Sequence, residues 1–379
     1  MATTAALIPL EHGDVQATLR TFLRRLLETG LVQALLVPLE TPAGSITPAL
    51  VTDPALLARA VPLPAVLGLN VAPLAGAVSR QTATEATTAP IGVVLRPCEQ
   101  RALVELAKLQ QADLARLLTI GLDCPGSCDV PTYTRLRAAG GVRVEALLAA
   151  ALGSAPTPPG FALRPACAMC ERPQAEGATV TVGLFGAAPP GGLPVWLPQE
   201  HAERLELVTS EDDGSARRRS EAIARLVAAR SAARDAQLAE IEARLAQEGI
   251  AGVLAACVRC HNCMTACPIC YCRTCLFRSP TFEHDGATLL ARARRKGAYR
   301  LPADTMLFHL TRLHHMALSC VGCGMCTSAC PAELPVGSVF RAVGVRLQEL
   351  FEYVPGRSVD EALPLVTFRE DEWSELGEE

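Results

Sequence analysis

The sequence of 379 residues predicts an α/β (α+β) domain at the N-terminus, followed by a helical domain that is rich in cysteine. Apolar residues recur at helical spacing between Val15 and Leu27, and Gly30 ends that helix. Strand candidates follow at residues 31–39, 91–95 and 117–122, and a helical run begins after the second of them. This alternation of strands and helices is typical of a parallel or mixed sheet.

Changes in composition divide the chain into four parts. Residues 1–205 form the α/β domain, and residues 206–250 form a long charged helix that connects it to the third part. Residues 251–350 are that third part, the helical, cysteine-rich domain, and residues 351–379 are an extension with an acidic tail. The connecting helix is interpreted as a solvated arm, although three adjacent arginines at residues 217–219 are alternatively a contact for an acidic partner.

The bulk composition excludes several classes of protein. The formal net charge is −4 without a long basic stripe, so nucleic-acid binding is not expected. There is no basic leader before an apolar core, and no uninterrupted apolar run of about 20 residues, so we expect a cytoplasmic chain without a membrane span. In that compartment, sixteen cysteines indicate metal or redox chemistry rather than disulfides.

Two identical cysteine motifs carry the strongest signal. Each has the spacing C-x2-C-x2-C-x3-C-P, which is typical of ferredoxins with two [4Fe–4S] clusters. One short loop wraps three thiolates around a cluster, and the fourth cysteine leaves along a helix toward the neighbouring cluster. The expected ligand groups are therefore crossed: Cys257, Cys260, Cys263 and Cys330 for one cluster, and Cys320, Cys323, Cys326 and Cys267 for the other.

Zinc is the alternative occupant, because four-thiolate zinc sites also use C-x2-C pairs. Zinc ribbons need neither the third cysteine of each motif nor the closing x3-Cys-Pro, and both occur twice here. Three more cysteines, Cys270, Cys272 and Cys275, follow the first motif. They are interpreted either as part of a further metal site or as buried structural thiols.

The N-terminal half contains a possible third site. Two cysteine pairs, Cys124 with Cys128 and Cys167 with Cys170, would form one four-thiolate site for a cluster or for zinc if the fold brings them together. A separate candidate is the strand-to-helix turn at Arg96, Pro97 and Cys98. Free amides at the helix start there would hold a cofactor phosphate, or the turn would simply begin a helix.

Other catalytic fingerprints are absent from the sequence. There is no H-E-x-x-H, P-loop or G-x-S-x-G motif, and no G-x-G-x-x-G follows a strand, so an ordinary NAD-binding site is not supported. We expect no general acid or base to be central to the chemistry.

The run IGVVLRPCEQRALVELAKLQQADLARLLTIGLDCPG is similar to the beta-subunit family of coenzyme F420-reducing hydrogenases and formate dehydrogenases. The runs CVRCHNCMTACPICYCRTC and CVGCGMCTSACP resemble the formate dehydrogenase branch of that family. The resemblance implies a flavin-type α/β domain for FAD, with coenzyme F420 as acceptor. It implies an oxidoreductase subunit whose clusters pass electrons to or from a catalytic formate dehydrogenase or hydrogenase subunit.

The resemblance also suggests a flavin contact at Gly13, where relatives often have a double-glycine turn. Here Asp14 stands in place of the second glycine, and an aspartate adds a negative charge where a phosphate would lie. This departure favours an alternative function. The chain would then be a flavin-free iron–sulfur relay between a dehydrogenase and a heterodisulfide reductase-type partner, with no substrate of its own.

Overall fold

The fold consists of a mixed sheet with helices on both faces, joined to a helical region that contains the two cysteine motifs. The computed structural model describes residues 3–81, 89–186, 192–209, 214–272, 274–282, 285–300, 304–364 and 366–367. The acidic tail predicted at residues 370–379 lies outside them. Within the described ranges, no helix combines the length and the apolar character needed to cross a membrane.

Eight strands form a single sheet in the order β3-β2-β4-β5-β6-β7-β1-β8. Strands β2, β4, β5 and β6 run parallel, and the remaining neighbours pair antiparallel. This confirms the predicted α/β class. The strands are β1 (Thr3–Ile8), β2 (Ala34–Glu40), β3 (Ile46–Val51), β4 (Ile91–Leu95), β5 (Leu117–Leu122), β6 (Val180–Val182), β7 (Leu193–Pro198) and β8 (Val208–Thr209).

The helices of the α/β part flank the sheet, and those of the helical part surround the cysteine motifs. The first group is α1 (Val15–Glu28), α2 (Ala72–Gln81), α3 (Pro97–Lys108), α4 (Val130–Ala138), α5 (Val144–Ala151), α6 (Pro165–Ala168) and α7 (Gln199–Arg204). The second group is α8 (Ser215–Val253), α9 (Asn262–Thr265), α10 (Gly286–Lys296), α11 (Thr305–Met316), α12 (Met325–Ser328) and α13 (Val336–Leu350).

Alternating side chains along the central strands divide the buried residues into two apolar cores. In β4, Val94 belongs to the core that is shared with α1. Its neighbours Val93 and Leu95 point to the opposite face, where they join Phe308 and Phe340 of the helical region in the second core. The cysteine-rich helices therefore pack against one face of the sheet rather than forming a detached module.

The connecting helix α8 is not a solvated arm along its length. It is helical from Ser215 until Gly249 breaks it with a φ of 66°, close to where the sequence predicted its end. One of its faces is buried, through Leu226, Leu238 and Ile241 among others, and it packs against α6 and α13. The sequence pattern did not predict that this face is buried, because its apolar residues are interspersed with many arginines.

An internal ion pair fixes the start of α8 to the sheet. The Asp123 carboxylate, fully buried at the end of β5, accepts hydrogen bonds from the Arg219 guanidinium at 2.6 and 2.8 Å. It also accepts from the backbone amides of Ala175 and Leu184. Arg219 is therefore satisfied within the chain, whereas its neighbour Arg217 pairs on the surface with Glu221.

Replacing Arg219 tests this anchoring. We expect Arg219→Met to reduce the free energy of unfolding by about 3–5 kcal/mol, because it leaves a buried carboxylate without its cation. The matched control is Arg217→Met, which removes an exposed ion pair and should cost about 0–1 kcal/mol. Urea denaturation of both variants measures the difference. Equal losses would contradict the anchoring role of Arg219.

Candidate metal centres

The two ferredoxin motifs adopt the same backbone curl. In the first motif, Arg259 and His261 have positive φ values of 52° and 62°. At the matching positions of the second motif, Gly322 and Gly324 have φ values of 71° and 67°. Left-handed backbone costs a non-glycine residue about 1–3 kcal/mol and persists where the surroundings require it. The shared curl is what a loop needs to direct three sulfurs toward one centre.

The similarity between the two motifs continues in the short helix that each of them contains. Each loop leads into a single turn of helix, α9 after the first and α12 after the second, and these two turns pack against each other. The fourth cysteine of each motif follows that turn, so it is carried toward the opposite loop. The sequence similarity of the motifs is thus reproduced as a pair of structurally similar halves.

Electrostatic contacts between thiols divide the eight motif cysteines into two groups. Cys257 and Cys263 each interact with Cys260 and with Cys330, the last cysteine of the other motif. We call the first group site A; its members are Cys257, Cys260, Cys263 and Cys330. The other motif cysteines are site B: Cys267, Cys320, Cys323 and Cys326. These groups contain the same cysteines as the crossed grouping expected from the sequence, which stays a prediction.

All four cysteines of site B line one largely enclosed cavity. Its walls are mostly apolar, with Met316 from α11 and Phe340 from α13 on one side and Ala166 and Met169 on another. Burial raises the pKa of the Cys267, Cys323 and Cys326 thiols to about 12. Such thiols become thiolates only beside positive charge, which the irons of a cluster supply. The donor set and its surroundings therefore fit an iron–sulfur cluster.

Site A lies closer to the surface than site B. Cys263 is buried, whereas Cys260 is exposed. The His309 Nε2 atom lies 3.2 Å from the Cys257 sulfur. Burial, followed by the nearby Arg312, lowers the pKa of His309 to about 4, so its ring is neutral and can donate a single N–H to sulfur.

A third group of thiols lies beside the sheet, with a membership that differs from the predicted one. Cys124 and Cys167 both interact with the Arg96 guanidinium, and Cys98 does so as well. Cys98 also interacts electrostatically with Cys124 and Cys170. We call Cys98, Cys124, Cys167 and Cys170 site C.

Cys128, which the sequence analysis had assigned to this site, interacts electrostatically with Arg96 and Arg164 as well. Its sulfur, however, donates to the Ala65 carbonyl at 3.3 Å, and its side chain packs in an apolar cluster with Val66 and Leu136. Burial raises its pKa to about 11. We therefore expect Cys128 to be a structural thiol and Cys98, from the start of α3, to be the fourth cysteine of site C.

The topology of the sheet explains why Cys98 belongs to site C. Cys98 follows the carboxyl end of β4, and Cys124 follows the carboxyl end of its parallel neighbour β5. The loop with Cys167 and Cys170 folds over the same edge, because the Cys124 amide donates to Pro173 and the Arg164 amide donates to Ser127. Carboxyl ends of parallel strands are where open α/β sheets place their sites.

The turn at Arg96, Pro97 and Cys98 serves this thiol site. The Arg96 guanidinium donates to the Cys124 sulfur at 3.1 Å and to the backbone carbonyls of Pro64 and Val66. The start of α3 is capped by Glu99, whose carboxylate accepts from the Arg96 amide. The buried Glu99 carboxylate therefore binds the Arg96 amide at this turn, and the cofactor contact at Arg96, Pro97 and Cys98 stays a prediction.

The start of α1 is capped in a similar way. Gly13 is exposed, and Asp14 is the N-cap whose carboxylate accepts from the Ala17 amide at 2.8 Å. The Val15 amide donates to Glu145 at 2.8 Å. Two carboxylates thus bind the Ala17 and Val15 amides, and the flavin contact at Gly13 stays a prediction.

The remaining cysteines after the first motif stay near one another. Cys270 interacts electrostatically with Cys272 and Cys275, and the Cys275 sulfur lies 3.7 Å from that of Met264. Cys272 is exposed, which does not fit a buried structural thiol. Among the described residues, no group of three or more His, Cys, Asp or Glu side chains is arranged to hold a single metal ion.

Arginines near the cysteines were missed by the sequence analysis. Arg312 donates to the Cys263 sulfur at 3.1 Å, and Arg164 donates to the Cys167 sulfur at 3.5 Å. Arg164 lies close to Cys167 in the sequence, and Arg312 lies on the helix α11 beside the cysteines. Nothing in their spacing distinguishes them from the many surface arginines of this chain.

Comparisons with known proteins agree with these sites. Residues 253–334 match the family described as "4Fe-4S dicluster domain". That segment contains all eight cysteines of sites A and B, so this part of the chain is an iron–sulfur domain of the two-cluster class.

Most of the chain is similar to a subunit of an oxidoreductase. This chain is 25% identical over 314 residues to the F420-dependent formate dehydrogenase subunit beta of Methanocaldococcus jannaschii. The match covers 72% of this chain and 75% of that relative. This chain is also 25% identical over 108 residues to F420-dependent formate dehydrogenase 1 subunit beta of Methanococcus maripaludis. That shorter match covers 28% of this chain and 24% of the relative. These findings confirm the resemblance predicted from the sequence.

A solved structure gives a coarser match. A chain of the F420-reducing [NiFe] hydrogenase complex from Methanosarcina barkeri superposes with a TM-score of 0.43 and 13% identity. The match covers 63% of this chain and 92% of that one.

The membership of site C can be tested with a matched pair of cysteine variants. We expect Cys98→Ser to lose about four irons per chain, because one thiolate ligand of a four-iron cluster is removed. Cys128→Ser should keep its iron, since Cys128 only packs in an apolar cluster. Iron and acid-labile sulfide analysis after anaerobic purification measures both. Iron loss from Cys128→Ser alone would instead restore the grouping predicted from the sequence.

Proposed function

We propose that this chain is the iron–sulfur electron-transfer subunit of a multi-subunit oxidoreductase of the formate dehydrogenase or F420-reducing hydrogenase type. The observation that carries the proposal is that site B is joined to site A through Arg312 and to site C through Arg164, each of which contacts both sites. The thiols of neighbouring sites also interact electrostatically. Cys326 of site B interacts with Cys263 of site A, and Cys323 of site B interacts with Cys98 of site C. Clusters bound there would each accept and release one electron.

The ends of the row of sites A, B and C suggest where electrons enter and leave. Site A has an exposed ligand candidate, Cys260, so a redox centre of the catalytic partner can approach it from solvent. At the other end, a polar cleft lies beside site C and is lined by four arginines and three glutamates: Arg101, Arg172, Arg234, Arg341, Glu171, Glu349 and Glu352. Glu171 pairs with Arg234 and Arg341, so Arg101 and Arg172 are the arginines outside that ion-pair network. Arg101 interacts with Cys98 and Cys170, which places the cleft beside the site. Arginines suit an anionic acceptor, such as a flavin or deazaflavin with phosphate groups.

The flavin-free relay remains the second candidate function, and a specific observation favours it. Asp14 and Glu145 cap the amides at the start of α1, and Glu99 caps the start of α3. The amides of Val15, Ala17 and Arg96 are therefore bound to carboxylates rather than offered to a phosphate. In this second case the terminal acceptor would be a protein of the heterodisulfide reductase type that docks near site C.

Cofactor analysis and a reconstitution assay test the proposed function together. The anaerobically purified chain should contain iron, acid-labile sulfide and no stoichiometric zinc. Its visible absorbance should bleach with formate or hydrogen only when a catalytic formate dehydrogenase or nickel–iron hydrogenase subunit is present, and Cys260→Ala should abolish the transfer. A colourless chain with stoichiometric zinc would contradict the proposal. Acid-released flavin distinguishes the two candidate functions.

Double cysteine variants test the crossed grouping of sites A and B. Cys257→Ser with Cys330→Ser should remove about four irons, since both residues belong to one site. Cys320→Ser with Cys330→Ser should remove about eight irons, because the residues belong to different sites. The symmetric control, Cys267→Ser with Cys320→Ser, should again remove about four. The reverse pattern would mean that each motif holds its own cluster.

A further inference from the structure

Two buried arginines lie between neighbouring cysteine sites. Arg312 and Arg164 are 3% and 4% exposed. Arg312 donates to the Cys263 sulfur of site A at 3.1 Å and also lines the cavity of site B. Arg164 donates to the Cys167 sulfur of site C at 3.5 Å and to the Cys323 carbonyl of site B at 3.2 Å. Each guanidinium therefore contacts two sites.

Neither arginine has a carboxylate partner within ion-pair distance in the part of the chain that the structure describes. Burial of an unpaired cation costs several kcal/mol, so the interior must supply negative charge. The nearest candidates are the cysteine sulfurs. For Arg164, the sulfur within hydrogen-bond distance is that of Cys167 in site C.

The surroundings hold both guanidinium groups in place. Arg312 stacks between the rings of Phe308 and Phe340, at 5.5 and 5.1 Å from their centroids. It also donates to the Cys263 carbonyl, and its Nε atom is buried without a partner. Arg164 donates to the hydroxyl groups of Ser127 and Ser328. Because the guanidinium groups are held in place, they favour the more negative charge state of a neighbouring redox centre, and the protein does not have to rearrange when the charge changes.

A close approach of two loops keeps Arg164 beside both of its sites. Gly324, next to Cys323 of site B, lies so near Ala166 of the site C loop that an added Cβ would come within 2.2 Å of the Ala166 side chain. The same glycine has a φ of 67°. A side chain at this position would separate the loops as well as strain the backbone.

We propose that Arg312 and Arg164 are positioning residues that set the reduction potentials of the three sites in overlapping pairs, Arg312 for sites A and B and Arg164 for sites B and C. The inference rests on the proposed function, because it requires a cluster at each site. A fixed positive charge stabilises the more negative, reduced state of any cluster near it. Site B is the one site that both Arg312 and Arg164 contact. No bond changes; one electron leaves one site as the next site gains it.

Redox titration of the full chain, monitored by electron paramagnetic resonance, tests the pairing. In Arg312→Met, the oxidised-to-reduced ratio at a fixed potential should rise at least tenfold for sites A and B, which is about 59 mV for a one-electron couple. Site C should stay unchanged. In Arg164→Met, sites B and C should shift and site A should not. Variants that lack the cysteines of a single site assign the signals.

Three further variants make the test decisive. Arg312→Lys and Arg164→Lys keep the charge and should restore the potentials in large part. The control Arg225→Gln removes an exposed arginine of α8 and should shift none of the three sites. Full iron content with unchanged potentials, or an equal shift of all three sites, would overturn the inference. If both the Met and the Lys variants lost iron, the arginine would have a purely structural role, and this result would also overturn the inference.

The outcome for the unsubstituted chain separates the two proposals. If that chain contains three clusters and only the arginine pattern fails, the potential-setting role is wrong and the electron-transfer function stands. If the chain contains no iron–sulfur signal, the proposed function itself fails.

Discussion

The structure depends on one electrostatic constraint, which is that groups of cysteine sulfurs are buried in an apolar interior. Thiolates and the clusters that they hold carry negative charge, and burial makes that charge costly unless cations lie beside it. Buried arginines lie beside sulfurs of sites A and C: Arg312 beside Cys263, Arg164 beside Cys167, and Arg96 beside Cys124. Arg312 also lines the cavity of site B. Because an arginine keeps its charge at all ordinary pH values, it is suited to such a position.

The remainder of the fold places these charged groups in a row. One face of the sheet packs against the helical region in a shared apolar core, which holds site B close to the loops that carry site C. The long helix α8 runs along both parts, and its Arg219 is fixed by Asp123 at the end of β5. Arg230 of the same helix donates to the Pro125 carbonyl next to Cys124. The helix is therefore a structural support for site C as well as a connection.

The sequence predicted those features that depend on local pattern. The class of the sheet, the C-x2-C-x2-C-x3-C-P motifs and the end of the connecting helix near residue 250 are all encoded by periodicity, spacing or composition. Features that depend on contacts between distant residues could not be predicted in this way. The expectation that Cys98, rather than Cys128, belongs to site C follows from the parallel pairing of β4 and β5, which places Cys98 and Cys124 at the same edge of the sheet. The buried roles of Arg164 and Arg312 follow from packing, since arginine is common on the surface of this chain.

The central claim is that sites A, B and C each hold an iron–sulfur cluster. Crystals of the anaerobically purified chain, measured with X-rays just above and just below the iron absorption edge, test it most directly. The account predicts three separate centres of iron anomalous scattering in a row, with the middle one inside the cavity lined by Cys267, Cys320, Cys323 and Cys326. Anomalous signal at the zinc edge in place of iron, or no iron beside Cys98, would contradict it.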